Sequence, residues 1–167
     1  MMTDSSEAAV PKLVDFGLAK MIGPSQKATE PFGTLGYAAP EILEAKPYNS
    51  SCDLWSLGCL IYALLATFLP FDDSDEKETL RLTCKAEVTF EEKVWQRYTP
   101  ESKLLISKLL TKDPEKRISI QDTLAHPWFR PVRAKFAKLN QNTSGKEITN
   151  VRRSRAQSYR RQFSETY

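Results

Sequence analysis

Asp15 opens the tripeptide Asp15-Phe16-Gly17, and two kinds of chemistry are open to such a carboxylate. As a hard oxygen donor it can ligate Mg²⁺, which commonly takes one or two carboxylates together with phosphate oxygens. As a turn residue it can bond nearby backbone ahead of the glycine. Downstream, the hydroxyls of Ser25, Thr29 and Thr34 and the carboxylate of Glu30 lie in a stretch broken by Gly23, Pro24, Pro31, Gly33 and Gly36, which closes on Ala39-Pro40-Glu41. These breakers disrupt any helix or strand period and predict a long ordered loop. Loops of that length inside a compact domain are uncommon unless they bind or regulate something.

The elements that must position this loop follow from the apolar pattern. Lys12 to Phe16, with Leu13 and Val14, is expected to be a short strand running into Asp15. Pro40 suits the first turn of a short helix through Glu44, since it needs no N–H there. Ser50 or Ser51 then caps a helix from about Cys52 to Phe68, ended by Pro70. That helix is apolar on nearly every face, which predicts a central post buried on all sides. Its apolar run, Trp55 to Leu69, is too short for the roughly 20 residues of a bilayer crossing, so no membrane span is expected. Asp72, Asp73, Asp75, Glu76 and Glu78 start an acidic helix, where negative charge complements the helix dipole. A further helix begins at Thr99 or Pro100, with Leu104, Leu105, Leu109 and Leu110 at helical spacing, and Asp113-Pro114 stops it. Ser119, with Asp122 three residues on, signals the start of a short final helix.

The 167 residues are 41% hydrophobic and 27% charged, which is ordinary for one domain with a core. The net charge of +3 is unevenly spread. From Arg130 to Tyr167 there are ten Lys and Arg against two Glu, a net of +8, leaving −5 for residues 1–129. Cys52, Cys59 and Cys84 form neither a paired framework nor a C-x-x-C motif, so a disulfide scaffold and a zinc site are both unexpected. With no secretory h-region near the N-terminus, a reducing, cytoplasmic setting is the expectation.

The blocks DFGLAK, GTLGYAAPE, DLWSLG, KDPEKR and HPWF occur in the order of the second half of a protein kinase domain, and residues 10–129 resemble that family. HPWF and DFGLAK together point toward its calcium/calmodulin-dependent group. The resemblance implies a mainly α fold, the helical C-terminal lobe of a protein kinase, with a short β hairpin at its start. It also implies transfer of the ATP γ-phosphoryl to protein Ser or Thr hydroxyls with Mg²⁺. Asp15 would be the metal ligand, with Phe16 as an apolar plug that sets its direction and Gly17 completing the nucleotide-side motif. Thr34 would neighbour the catalytic Asp, and Leu35, Gly36 and Tyr37 would form a shelf for the protein substrate. Glu41 and Arg117 would make a buried ion pair, Asp53 would accept backbone hydrogen bonds from the catalytic loop, and Trp55 would be a structural residue at the start of the central helix. Ser25 and Thr29 would be phosphosites. Glu30, three residues before Gly33, would replace part of a phosphate's charge.

The same resemblance requires a Gly-rich loop, a strand Lys and an H-R-D-L-x-x-x-N loop before Asp15. Here the first Gly is Gly17, the sole His is His126, the first Asn is Asn49, and Lys12 is the only Lys before Asp15. The chain by itself is therefore expected to be inactive. It is expected to be either part of an active kinase or a non-catalytic kinase-like binding or scaffold module.

After Phe129 the sequence turns polar, basic and Ser-rich, which places a domain boundary near residue 130 and predicts a largely disordered tail, residues 130–167. Val132, Phe136 and Leu139 fall at helical spacing among basic residues, the pattern of a calmodulin-binding helix; a disordered basic tail is the other reading. Ser158 and Ser164 each follow an Arg by three residues, a pattern that suits autophosphorylation in this group. The run lacks the interleaved aromatics of a nucleic-acid platform, so no specific nucleic acid is expected.

Overall fold

A computed structural model of the chain describes residues 12–23 and 25–134. Almost all of its regular structure is helical. The described residues fall into two compact units, one ending at Thr123 and the other beginning at Leu124.

In the first unit, residues 12–39 are irregular. The strand expected over Lys12–Phe16 does not form there. Leu13 and Val14 are largely exposed, no described strand pairs with them, and residues 1–11 lie outside the described residues. The one β-bridge among the described residues joins Ala28 to Tyr48. Helix α1, Pro40–Leu43, starts on proline as its sequence suggests, and buries Pro40, Glu41 and Ile42. Helix α2, Ser51–Ala66, stops short of the expected Phe68. Thr67 takes a left-handed conformation (φ 72°) and its N–H bonds the Ala63 carbonyl, so the helix caps itself before Pro70 can end it.

Helix α2 packs against α4, Pro100–Leu109. Gly58 makes this approach possible: a Cβ there would lie 2.8 Å from Leu110 Cδ2 and 2.9 Å from Leu109 Cβ. Trp55, Cys59, Leu105, Ile106 and Leu109 are fully buried in the resulting core. The expectation that α2 is buried on all sides is corrected, because Leu60 is 45% exposed and Leu64 71%. These two stand one helical turn apart, and no described element covers their face.

Helix α3, Glu76–Lys85, is capped by Asp75, whose carboxylate accepts the Lys77 N–H at 3.0 Å. A 3-10 turn, Lys93–Arg97, follows and buries Trp95. Helix α5, Ile120–Ala125, carries the reciprocal cap its sequence predicts. The Asp122 N–H donates to Ser119 Oγ at 3.1 Å, and that hydroxyl donates to the Asp122 carboxylate at 2.7 Å. In the second unit a 3-10 turn, Pro127–Phe129, leads into a helical stretch, and Arg133 Nη1 donates to the Leu124 carbonyl at 2.8 Å. No described helix is long and apolar enough to cross a membrane.

Candidate functional site: the loop from Asp15 to Glu41

The loop begins under strain. Asp15 is a non-glycine residue at φ 62°, a region that costs energy for any side chain except glycine. Its carboxylate faces the Gly17 N–H at 3.4 Å, and the Ala19 N–H closes a turn on the Phe16 carbonyl at 2.9 Å. Phe16 is not the buried plug expected of it. Its ring is 66% exposed, because none of the described residues packs over this part of the loop.

Two arms of the loop meet at Glu30. Its carboxylate accepts a hydrogen bond from Lys20 Nζ at 2.6 Å and from the Thr29 N–H at 3.2 Å. Its carbonyl accepts from the Tyr48 hydroxyl at 2.7 Å and from the Phe32 N–H at 2.9 Å. Tyr48 also exchanges both backbone bonds with Ala28, at 2.8 and 2.9 Å. Glu30 thus ties arm to arm and both arms to the connector between α1 and α2. Lys20, with the backbone N–H groups of Glu30 itself and Thr29, holds the Glu30 carboxyl down to about 2. Since that value lies below the ordinary 4.5, the charged latch is at full strength above about pH 4.5 and fades as the pH falls toward 2. Followed by the NMR shift of its side-chain carboxyl carbon, Glu30 is expected to titrate near 2 in the native chain and to shift upward, toward the ordinary value, in Lys20→Gln. An ordinary titration in the unmodified chain would contradict the latch.

The far end of the loop is held more tightly. The Thr34 carbonyl accepts the N–H groups of Tyr37 and Ala38 at 2.8 and 2.9 Å, which makes a compact turn of Thr34, Leu35, Gly36 and Tyr37. Gly36 is pressed on Leu69: a Cβ there would lie 2.7 Å from Leu69 Cδ1. The Ser56 hydroxyl on α2 donates to the Tyr37 carbonyl at 2.9 Å. The Thr34 side chain stays exposed. A cleft of about 540 Å³ beside this turn is lined by Lys20, Phe32, Thr34, Tyr48, Asp53 and Ser56 among others.

Glu41 then fixes the loop to the helical body. Arg117 Nη1 and Nη2 donate to its two carboxylate oxygens at 2.7 and 2.9 Å, with both side chains almost wholly inaccessible to solvent. Arg117 also donates to the carbonyls of Ser51, Thr111 and Lys112, at 2.9, 2.9 and 3.2 Å. Its guanidinium lies 5.3 Å from the centre of the Trp55 ring, which stacks on Phe71 at 5.5 Å. Asp53 is exposed at the first turn of α2, with the Cys52 thiol 3.9 Å from its carboxylate. Burial pushes the thiols of Cys52 and Cys59 up to about 11 and about 12, so neither is a ready nucleophile. Ser25 and Thr29 are exposed. Ser158, Ser164, Phe136 and Leu139 lie outside the described residues.

Lys20, Tyr48, Ser56 and Leu69 are the anchors that motif and periodicity missed. Each acts through a long-range contact to the loop, and no spacing signals such a contact. Among the described residues no group of three or more His, Cys, Asp or Glu could hold a metal ion. Asp15 offers one exposed carboxylate, and Mg²⁺ takes one or two such groups together with phosphate oxygens.

Residues 1–129 match the family described as protein kinase domain. The serine/threonine-protein kinase srk1 of Schizosaccharomyces pombe (strain 972 / ATCC 24843) is 42% identical over 118 residues, which cover 71% of this chain and 20% of that protein. The chain thus spans about a fifth of the length of that relative. With the match covering most of its residues, the chain belongs to the protein kinase domain family.

Proposed function

We propose that the chain is the C-terminal-lobe portion of a Ser/Thr protein kinase, of the calcium/calmodulin-dependent kind, whose intact domain transfers the γ-phosphoryl of ATP to protein hydroxyls. The carrying observation is the loop from Asp15 to Glu41, closed at Glu30, pressed on α2 at Gly36 and Tyr37, and pinned at its end by Arg117. The printed name of the 42%-identical relative supports the Ser/Thr assignment. In this reading Asp15 is a ligand for Mg²⁺ in the intact domain, and the turn from Thr34 to Tyr37 supports the substrate. Glu30 orders the loop without a phosphate. Ser25, Thr29, Ser158 and Ser164 are candidate acceptors of regulatory phosphate. The basic stripe begun by Val132 is the segment a calmodulin-type partner would grip.

Positioning and electrostatics supply nearly all of the catalysis in phosphoryl transfer, so this chain alone lacks the groups for a useful rate. Incubated with Mg²⁺, ATP and an Arg-containing Ser peptide, it is expected to transfer no phosphate above background. Fused behind a segment carrying a Gly-rich loop, a strand Lys and an H-R-D loop, it should gain activity that Asp15→Asn lowers by about 10² or more. Transfer by the chain alone would overturn the expected inactivity. A folded but inert fusion would favour the second reading, a binding or scaffold module. The wide exposure of Phe16, Leu18 and Leu64, which a partner would have to cover, speaks for that reading.

A further inference from the structure

We propose that Ser56 is a positioning residue for the protein substrate, acting by clamping one peptide plane of the turn from Thr34 to Tyr37 onto α2. The inference rests on the reading above, in which that turn supports the substrate. The Tyr37 carbonyl and the Ala38 N–H belong to a single peptide unit, which resonance keeps planar. Its carbonyl accepts from the Ser56 hydroxyl at 2.9 Å, and its N–H donates to the Thr34 carbonyl at 2.9 Å. The plane is held at both ends, at one by the turn itself and at the other by the helix.

The hydroxyl can serve the turn without weakening the helix. It also lies 3.3 Å from the Cys52 carbonyl, one turn back. In a regular helix that carbonyl already accepts the backbone N–H four residues on, here that of Ser56 itself. The single hydroxyl proton therefore goes to the nearer acceptor at Tyr37. The support beneath it is rigid, since Trp55 and Cys59 are fully buried and Gly58 lets α2 seat closely on Leu109 and Leu110. Leu69 also presses on the turn at Gly36, but by shape alone, which sets a distance and not a direction.

Without the hydroxyl one end of the plane is freed. The peptide unit can then rock about the line joining its two Cα atoms, and Tyr37 moves with it. A substrate residue resting on Leu35 to Tyr37 loses a fixed surface, so the loss falls on substrate binding rather than on the phosphoryl-transfer step. Helix α2 itself does not suffer in Ser56→Ala, because Ala is the better helix former. Ser56→Thr keeps the hydroxyl, and the cleft of about 540 Å³ that Ser56 lines has room for the added methyl.

The test has one arm that needs no activity and one that does. In the full 167-residue chain the Ala38 amide is expected to exchange about tenfold faster in Ser56→Ala, while the amides of α2 and α4 keep their rates and Ser56→Thr stays close to the unmodified chain. In the fusion described above, Ser56→Ala should raise the KM of the Ser peptide about fivefold, change kcat and the KM of ATP by less than about twofold, and be rescued by Ser56→Thr. Unchanged Ala38 exchange in Ser56→Ala overturns the clamp. Faster exchange with an unchanged peptide KM overturns the positioning role and leaves the kinase reading standing. Equal damage to kcat and to the KM of ATP also overturns it, as the effect would then be general. A folded fusion that is inert before any substitution removes the kinase reading, and the substrate role of Ser56 falls with it.

Discussion

Arg117→Ala is expected to destabilise the helical unit by about 3–5 kcal/mol, the cost of leaving one member of a buried ion pair alone. A guanidinium has five N–H donors, and Arg117 uses all of them: two on Glu41, one each on the carbonyls of Ser51, Thr111 and Lys112. Truncation leaves a buried carboxylate without its cation, and removes the planar group from the face of Trp55. Since whole domains are stable by only about 5–15 kcal/mol, the variant should be close to unfolding at room temperature. Arg117→Lys should recover less than half of the loss, because a single ammonium cannot meet two carboxylate oxygens and three carbonyls in one plane. The measure is the urea midpoint of the variants against the unmodified chain at constant slope. A loss below about 1 kcal/mol for Arg117→Ala would mean that water reaches Glu41 and that the pair is not buried in solution.

The pair's contribution to net stability is a separate matter. Well-packed apolar replacements for buried ion pairs are often as stable as the originals. What Glu41 and Arg117 supply here is location, because they join three places far apart in sequence. These are the end of the loop at α1, the first turn of α2, and the turn after α4. A variant that is apolar at both positions should therefore be less damaging than Arg117→Ala, yet leave the loop's end less firmly placed.

That pair also shows how far the sequence could be read. Position within recognised motifs suggested that Glu41 and Arg117 meet, although 76 residues separate them and no periodicity links them. Local rules served well where the cause is local. Ser119 with Asp122 at a helix start, Pro40 and Pro100 in first turns, and the acidic start of α3 each reflect a terminus being satisfied by its own neighbours. They failed where the cause is an absent or distant neighbour. The apolar run of α2 predicts a wholly buried helix, but apolarity states only what a face would gain by burial, and no described element lies over Leu64. The resemblance makes Phe16 a plug, but none of the described residues packs over it. The latch was half legible: the charge at Glu30 stood out, whereas Lys20 and Tyr48, the groups that give it direction, did not.

Trp95 was not legible at all, and its removal should be as costly as that of Arg117. It lies in Glu91-Glu92-Lys93-Val94-Trp95-Gln96-Arg97, a stretch so charged that it reads as a solvated connector, yet its ring is fully buried. The 3-10 turn explains the contrast by pointing one side chain inward while the charged ones face water. The ring meets Tyr62 of α2 at 4.6 Å, Phe90 at 4.9 Å and Tyr98 at 5.6 Å. Two of these neighbours spend their hydroxyls on backbone: Tyr98 donates to the Leu65 carbonyl at 2.7 Å and Tyr62 to the Thr89 carbonyl at 3.2 Å. Trp95 therefore sits where the connector from Thr89 to Tyr98 is fastened to α2, and Trp95→Ala should cost about 3–5 kcal/mol, as large-to-small changes at buried Trp do. Trp95→Phe should cost clearly less, because it keeps an aromatic ring among the same partners. Hydrogen exchange supplies the positional check. In Trp95→Ala the amides from Thr89 to Tyr98 should lose protection before those of α4, whereas a uniform loss, or a cost under about 1.5 kcal/mol, would show that the cluster closes over the hole and that the ring does not fasten the connector.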